Sequence, residues 1–212
     1  QATPSAHIIL AQDPKTRRGT PEQKMRREWP NTYSYLKRFE EQLRRRSGYR
    51  KYFKPTAPFY SMYDVGPYTL ARWKVLWPEV GLRVRAAVCG RVKEDSARPV
   101  LPDHTLIAVS CSTAVEAHYL CALLNSSPAQ LLTLGYVVLH PSPHVLEHLA
   151  IPNYCGKPVH QRLAELSKRC HEVVLSDTEA LREAEAEIDD LAARLWGISP
   201  AELRAIQSAL AE

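Results

Sequence analysis

The sequence predicts a mixed α/β (α+β) fold, in which helices decorate a sheet and a long, coiled-coil-like helix follows it. Residues 55–77 are dense in aromatic, proline and glycine residues and contain few helix formers, which favours short strands joined by shaped loops. Patterns typical of helix starts, a Ser or Thr followed three residues later by Glu or Gln, stand on both sides of this stretch. After Pro158, apolar residues recur at helical spacing almost to the end of the chain. These observations together predict a sheet covered by helices.

The N-terminal part of the chain predicts one strand and two helices. The apolar run 7–10 has the length and composition of a short strand. Thr20, followed by Pro21, suits an N-cap and a first helical position. Asn31 is the predicted cap of a second helix, which ends in three arginines before Gly48.

The middle of the chain predicts short strands and two helices. Thr113 and Glu116 form a capping-box pattern, which predicts a helix that stops near Asn125. A second box, Ser127 with Gln130, predicts a short helix ended by a glycine. Further strands are predicted at 83–88, 105–110, 137–139 and 149–151.

A seven-residue repeat predicts a coiled-coil seam in the C-terminal helix. Its main apolar positions are Val174, Leu181, Ile188 and Leu195. Asp177 interrupts this seam near its start. The pattern divides the chain into two predicted domains, 1–157 and a helical spacer or docking extension at 158–212.

Composition limits the class of protein. The 212 residues are 45% hydrophobic and 24% charged, as in an ordinary globular protein. No apolar run approaches the roughly 18 residues of a membrane span, and no secretory signal stands at the start, so we expect a cytoplasmic protein without a membrane partner. Five cysteines without a CxxC pair also favour a reducing compartment. The missing initiator methionine predicts a piece of a longer protein.

Charge is distributed unevenly along the chain. Residues 15–54 carry 14 Lys or Arg against 4 Asp or Glu, whereas residues 166–212 carry 5 against 10. A local excess of about ten positive charges indicates a polyanionic partner for one end, with a solvated helix face as the plainer interpretation.

The candidate binding residues are cations with neighbouring aromatics. Lys and Arg contact phosphates, and aromatic rings near cations can pack beside a displaced base, although such rings are also common in cores. The candidate DNA-binding residues are Arg17, Arg18, Arg44, Arg45, Arg46, Arg50, Lys51, Lys54, Tyr60, Tyr63, Arg72 and Lys74.

No catalytic constellation is predicted. The eight glycines are scattered, so no cofactor-binding glycine motif is present. A hydrolase using Cys89 or Cys155 with a histidine has no supporting motif. The spacing of Cys155, His160, Cys170 and His171 is too loose for an ordinary structural zinc site, so we expect no metal.

Several strings resemble the target-recognition (specificity) domain of prokaryotic adenine-N6 DNA methyltransferases from restriction-modification systems. They are RRGTPEQKM, WPNTYSYLKRFE, RSGYRKYF, PFYSMYDVGPYTLARWKVLW and EAHYLCALLNSSP. Type I specificity subunits similarly place a Leu-Asn-Ser helix after a recognition sheet and then a long spacer helix, which closes with a pattern like IDDLAARLWGISPAEL. The resemblance covers most of the chain.

The resemblance implies sequence-specific double-stranded DNA binding that directs adenine-N6 methylation. The catalytic domain, with its S-adenosylmethionine, would belong to the parent protein or to a partner subunit, and this chain would bind no cofactor itself. The basic region 15–54 would clamp phosphates, and the 55–110 stretch would read bases. The alternative is a helical assembly module of a restriction-modification complex with only nonspecific DNA affinity. The recognised sequence, an associated nuclease and the oligomeric state stay open.

Overall fold

A computed structural model describes residues 6–90, 99–136 and 148–211. The chain forms two compact units, which meet in sequence between Leu70 and Ala71. We call them the N-terminal unit, Pro4–Leu70, and the C-terminal unit, Ala71–Glu212. This division differs from the predicted one at 157/158, because the helices after Pro158 share a buried core with the helix of residues 114–125, which packs on the sheet with its other side.

The N-terminal unit is a small helical cluster with one two-stranded ribbon. Its antiparallel strands β1 and β2 pair Gln12 with Gly19. The core consists of Ala11, Met25, Tyr33, Phe59 and Tyr60. The elements are β1 Gln12–Asp13, β2 Arg18–Gly19, α1 Glu22–Glu28, α2 Pro30–Lys37, α3 Glu40–Arg45, α4 Ser47–Tyr52 and a 3₁₀ turn at Pro67–Leu70.

Four local predictions for this unit are wrong. Pro21, not Thr20, is the N-cap of α1, and Trp29, not Asn31, is the N-cap of α2. Residues 7–10 form no strand. The predicted second helix is broken into α2 and α3, because Phe39 leaves the helical conformation with φ −110° and ψ 14°. The break allows Leu36 and Leu43, one from each helix, to pack on the same core cluster.

The C-terminal unit is a three-stranded antiparallel sheet covered by helices, which confirms a mixed α/β architecture. The central strand β3 lies between β4 and β5, so that Val75 is opposite both Val88 and Val109. The elements are β3 Trp73–Pro78, β4 Ala87–Cys89, β5 Leu106–Cys111, α5 Ala114–Asn125, α6 Ser127–Tyr136, α7 Pro158–Val173, α8 Thr178–Leu195 and α9 Pro200–Ala211. Residues 149–151 form no strand, and 137–139 lie outside the described residues.

Helix α5 is the centre of this unit, because it is buried on two sides. Its residues Ala117, Cys121 and Leu124 pack against the sheet, and Tyr119 and Leu123 pack against α7 and α8. The predicted cap is confirmed, since the Thr113 side chain accepts the Glu116 amide hydrogen bond at 3.1 Å. The helix also ends at Asn125 as predicted.

The C-terminal region forms a helical hairpin, so the prediction of a single long, coiled-coil-like helix is wrong. Helix α7 ends at Val173, and α8 begins at Thr178. Asp177, which interrupts the heptad pattern, is the N-cap of α8 and accepts the Ala180 amide hydrogen bond at 3.0 Å. Ile188 is buried within this unit, whereas Val174 lies exposed in the turn.

Among the described residues, no helix combines the length and the apolar character that crossing a membrane requires.

Asp189 joins three helices of the C-terminal unit. This buried carboxylate accepts hydrogen bonds from the Ser127 amide at 2.7 Å and from the Ser127 hydroxyl at 2.5 Å. It also accepts a 2.9 Å bond from Gln207 Nε2 of α9. A negative charge at the first turn of α6 is favourable, because the amides of a helix N-terminus lack partners within the helix.

Substitution of Asp189 by alanine should lower the free energy of unfolding by about 2–3 kcal/mol, because the Ser127 amide, the Ser127 hydroxyl and Gln207 lose their shared, buried acceptor. Asp190→Ala, at an exposed neighbouring position, is the matched control and should change stability by less than about 0.5 kcal/mol. Urea denaturation of both variants measures the difference. Equal stability of the two variants would contradict the role given to Asp189.

His118 makes the stability of the C-terminal unit depend on pH. Its Nδ1 lies 3.1 Å from the buried Ser167 hydroxyl. Burial lowers the pKa of His118 to about 4, and the charges of His171 and Lys168 act in the same direction. Between pH 6.5 and pH 4 the unfolded chain therefore binds a proton at this residue that the folded chain does not bind.

The free energy of unfolding should therefore decrease as the pH falls through this window, by at most about 3 kcal/mol from His118. His118→Gln removes the titrating group and should flatten this part of the stability profile. His104→Gln, at an exposed position, is the control variant. Denaturant unfolding at a series of pH values checks this, and an unchanged slope for His118→Gln would count against it.

Candidate nucleic-acid interface

The candidate interface adjoins residues 54–62, a segment without regular structure that begins at the surface and becomes buried at residues 59–61. Phe59, Tyr60 and Ser61 are almost fully buried, yet the segment belongs to no helix or strand. Its carbonyl groups therefore need donors from side chains. Arg46 supplies two of these bonds, to Phe59 O at 3.2 Å and to Ser61 O at 2.8 Å. The Tyr49 hydroxyl donates a third, to Ala57 O at 2.7 Å.

The β1–β2 ribbon is held against this segment. Gln12 donates to Arg17 O at 2.9 Å within the ribbon and accepts a 3.1 Å bond from the Met62 amide. Only glycine fits at position 19, because a Cβ atom there would lie 2.3 Å from the Ser61 hydroxyl oxygen and clash with it. Arg17 at the ribbon turn has φ +55°, which side-chain-bearing residues rarely adopt. The ribbon therefore presents Arg17 and Arg18 from a defined position.

Two adjoining surface depressions of about 610 and 510 Å³ form what we call the basic groove. Both depressions share Arg18, Gly19 and Pro21. The first also contains Asp13, Thr16, Thr20 and Lys24, and the second contains Tyr52, Phe53, Lys54, Thr56, Ala57 and Pro58. The groove thus combines three cations, one carboxylate and an aromatic face.

The carboxylate in the groove is already engaged. Asp13 accepts hydrogen bonds from the Lys15 amide at 2.9 Å and from the Thr16 hydroxyl at 3.0 Å. These bonds lower the pKa of Asp13, so it stays ionised under ordinary conditions. Its charge opposes that of Arg18 and Lys24 at one end of the groove, whereas no acidic residue lines the part that contains Lys54.

Five of the predicted cations remain available for a ligand. They are exposed, and within the described residues none of them forms an ion pair with a carboxylate. Two of them lie over tyrosine rings, Arg17 over Tyr68 at 5.8 Å and Lys51 over Tyr52 at 5.1 Å. The five are Arg17, Arg18, Arg50, Lys51 and Lys54.

The predicted arginine run 44–46 has three different environments. Arg45 is exposed and pairs with Glu41. Arg44 is half-buried and bonds Glu40 and the Tyr49 hydroxyl, both at 2.9 Å. Arg46 lies between α3 and α4 in a non-helical conformation, with its guanidinium turned to the backbone of the 54–62 segment. Burial lowers the pKa of Arg46. Arg44 and Arg46 were predicted to contact phosphates. The structure instead assigns both side chains to internal hydrogen bonds.

Two further residues predicted to bind DNA, Tyr60 and Lys74, are buried and therefore not available to a ligand. Tyr60 is 3% exposed and donates its hydroxyl hydrogen to Thr20 O at 2.6 Å. Lys74, also 3% exposed, lies in the central strand and donates to Ala71 O and, at 3.1 Å, to Val100 O. Burial lowers the pKa of Lys74. Neither side chain can reach a nucleic acid without opening the fold.

The remaining candidates, Tyr63 and Arg72, are exposed. Arg72 lies in the C-terminal unit, over the ring of Trp73 at 5.4 Å. Tyr63 is stacked on Tyr52, with ring centroids 3.7 Å apart and planes 10° apart. Sequence reasoning missed Tyr52, although its position directly after Arg50 and Lys51 was the available signal.

The two units differ in charge. The N-terminal unit carries 14 Lys or Arg against 6 Asp or Glu, a net charge of +8. The C-terminal unit carries 14 against 17, a net charge of −3. A polyanion is therefore attracted to the unit that contains the basic groove.

The cysteines and histidines do not assemble into a metal centre within the described parts of the chain. Cys155 Sγ lies 3.8 Å from His160 Nδ1, but that nitrogen also accepts the Cys155 amide hydrogen at 3.3 Å. The His160 ring is buried and stacks on Tyr119, with centroids 4.6 Å apart. Cys89 is buried, which raises its thiol pKa and disfavours the reactive thiolate.

Comparison with known proteins identifies no relative: no family model matches this chain, and no curated protein matches it significantly.

Arg46→Met should lower the free energy of unfolding by at least about 2 kcal/mol, because buried carbonyl groups lose their donors while the aliphatic length is kept. Arg45→Met removes the same charge from the exposed neighbouring position and should cost less than about 0.5 kcal/mol. Thermal or urea unfolding of the two variants measures this. Similar losses in both would contradict the internal role of Arg46.

Proposed function

We propose that this chain is a duplex-DNA-binding module whose N-terminal unit contacts the phosphate backbone. The observation that carries the proposal is the set of five exposed cations that form no ion pair with any carboxylate in the described part of the chain, of which Arg18 and Lys54 share one groove. Lysine and arginine gain affinity for DNA by releasing condensed counterions from phosphates. The sequence resemblance to target-recognition domains supports duplex DNA as the polyanion.

The same resemblance extends the proposal to sequence-specific recognition that directs adenine-N6 methylation. Catalysis would belong to a domain or partner subunit that binds S-adenosylmethionine, since this chain lacks the corresponding motifs. Base reading needs side chains that reach groove edges, and phosphate contacts only set the register. Exposed Arg72 remains a candidate for such a role.

A second candidate function is docking of a partner through the C-terminal helices. Leu175 is 82% exposed and Val174 is 49% exposed in the turn between α7 and α8. Two adjacent exposed apolar residues favour a contact surface over a purely solvated turn. DNA binding weakens steeply with salt, whereas apolar docking does not, so the two functions are distinguishable.

Reversal of the charges at Arg18 and Lys54 to glutamate should weaken duplex binding at least about tenfold at moderate salt and reduce the salt slope by about two, because two phosphate contacts are lost. The matched control reverses Arg169 and Arg204, which are exposed in the C-terminal unit, and produces the same net charge. Fluorescence anisotropy with a labelled duplex at several salt concentrations measures both quantities.

Wild-type affinity and slope in the Arg18/Lys54 variant would overturn the phosphate-contact assignment. Equal weakening in both variants would show that net charge alone is responsible. Selection from a randomised duplex pool then tests specificity: a recovered motif that contains adenine supports the recognition role, and recovery without a motif contradicts it.

A further inference from the structure

We infer that Tyr52 and Tyr63 form a stacking platform for an unpaired base beside the basic groove. This inference rests on the proposed nucleic-acid function and names the form of nucleic acid that the groove favours. The two rings are nearly parallel, with centroids 3.7 Å apart and planes 10° apart. Tyr52 is 46% exposed and Tyr63 is 53% exposed.

This aromatic pair differs from those in the core of the same unit. Tyr33 with Phe59 and Phe59 with Tyr60 meet edge to face, at interplanar angles of 65° and 72°, and all three rings are buried. The Tyr52–Tyr63 pair instead lies at the protein surface, where about half of each residue is exposed. Burial in the core therefore does not account for these two rings.

The surroundings of the pair match a nucleotide. Tyr52 lines the same depression as Arg18 and Lys54, so an aromatic face and two cations border one cavity. Lys51 adds a third positive charge, 5.1 Å from the centre of the Tyr52 ring. A base can stack on an aromatic ring while the adjoining phosphates contact the cations, which is how many proteins bind unpaired nucleic acid.

The geometry favours an unpaired base over a paired one. In an intact duplex both faces of a base are covered by its neighbours in the stack, so a protein ring cannot reach them. A base that has left the stack exposes its faces at a cost, which is smallest where it is unpaired from the start. The platform should therefore prefer a duplex with a bulged base to a fully paired duplex.

The test compares two duplexes of equal length and charge, one fully paired and one with a single bulged 2-aminopurine. Wild-type protein should bind the bulged duplex about tenfold more tightly, as expected for one base–aromatic stack. Stacking should also quench 2-aminopurine fluorescence. The double variant Tyr52→Leu/Tyr63→Leu should lose both the preference and the quenching, so that it binds the two duplexes with equal affinity.

Two further variants separate stacking from loss of structure. Tyr52→Phe/Tyr63→Phe keeps the rings and should keep both the preference and the quenching. Tyr35→Leu removes an exposed tyrosine of α2, outside the groove, and should leave both unchanged. Far-ultraviolet circular dichroism confirms that each variant is folded, and the single variant Tyr63→Leu replaces the double one if that does not fold.

Each outcome bears on a different conclusion. Salt-dependent binding of both duplexes without preference or quenching would overturn the platform and leave the proposed duplex binding intact. A preference that persists in the leucine variant would also overturn the platform, because the base would then stack elsewhere. Binding of neither duplex would overturn both the platform and the proposed function.

Discussion

The N-terminal unit depends on one constraint: residues 59–61 are buried within a segment, 54–62, that has no helix or strand to satisfy its backbone polar groups. Tyr49 of α4, Gln12 of β1 and Arg46, which lies between α3 and α4, satisfy several of them instead, with Arg46 making two of these bonds. Because the segment is positioned in this way, Gly19 can approach Ser61 closely, and Ala57 and Pro58 can form one wall of the basic groove. The candidate interface is therefore a consequence of internal hydrogen bonding.

The C-terminal unit meets a similar requirement by a different route. Its core is regular, with α5 buried between the sheet and the α7–α8 hairpin. The buried polar side chains in this unit bridge elements: Asp189 joins α6, α8 and α9, and Lys74 joins the central strand to the backbone at Val100. Lys74 illustrates how a cation typical of a DNA-binding stretch can have an internal role, since its donors are occupied by carbonyl groups.

The separation of charge between the two units has a functional consequence. The unit with a net charge of +8 contains the groove, the five cations that pair with no carboxylate among the described residues, and the stacked tyrosines, whereas the unit with a net charge of −3 contains the larger core. Under the proposed function, this surface would first attract a nucleic acid by its charge and then select an unpaired base by contact, because charge attraction and base stacking act at different distances. Reading of a sequence would require further side chains at groove edges, for which Arg72 is an exposed candidate.

The sequence by itself determined the mixed α/β class, the position of strand β5, the Thr113 cap with the helix up to Asn125, and the basic character of the first seventy residues. These features follow from local capping, alternation and charge, which need no distant partner. Only the tertiary structure decided which cations face solvent, because Arg45 and Arg46 are adjacent in sequence yet lie on opposite sides of the α3 end. It also decided that the helical region after Pro158 divides into α7 and α8, with Asp177 as the N-cap of α8. In the sequence, an Asp at this position is consistent both with a polar interruption of one long helix and with the start of a second helix, and only the packing of α7 on α8 distinguishes the two.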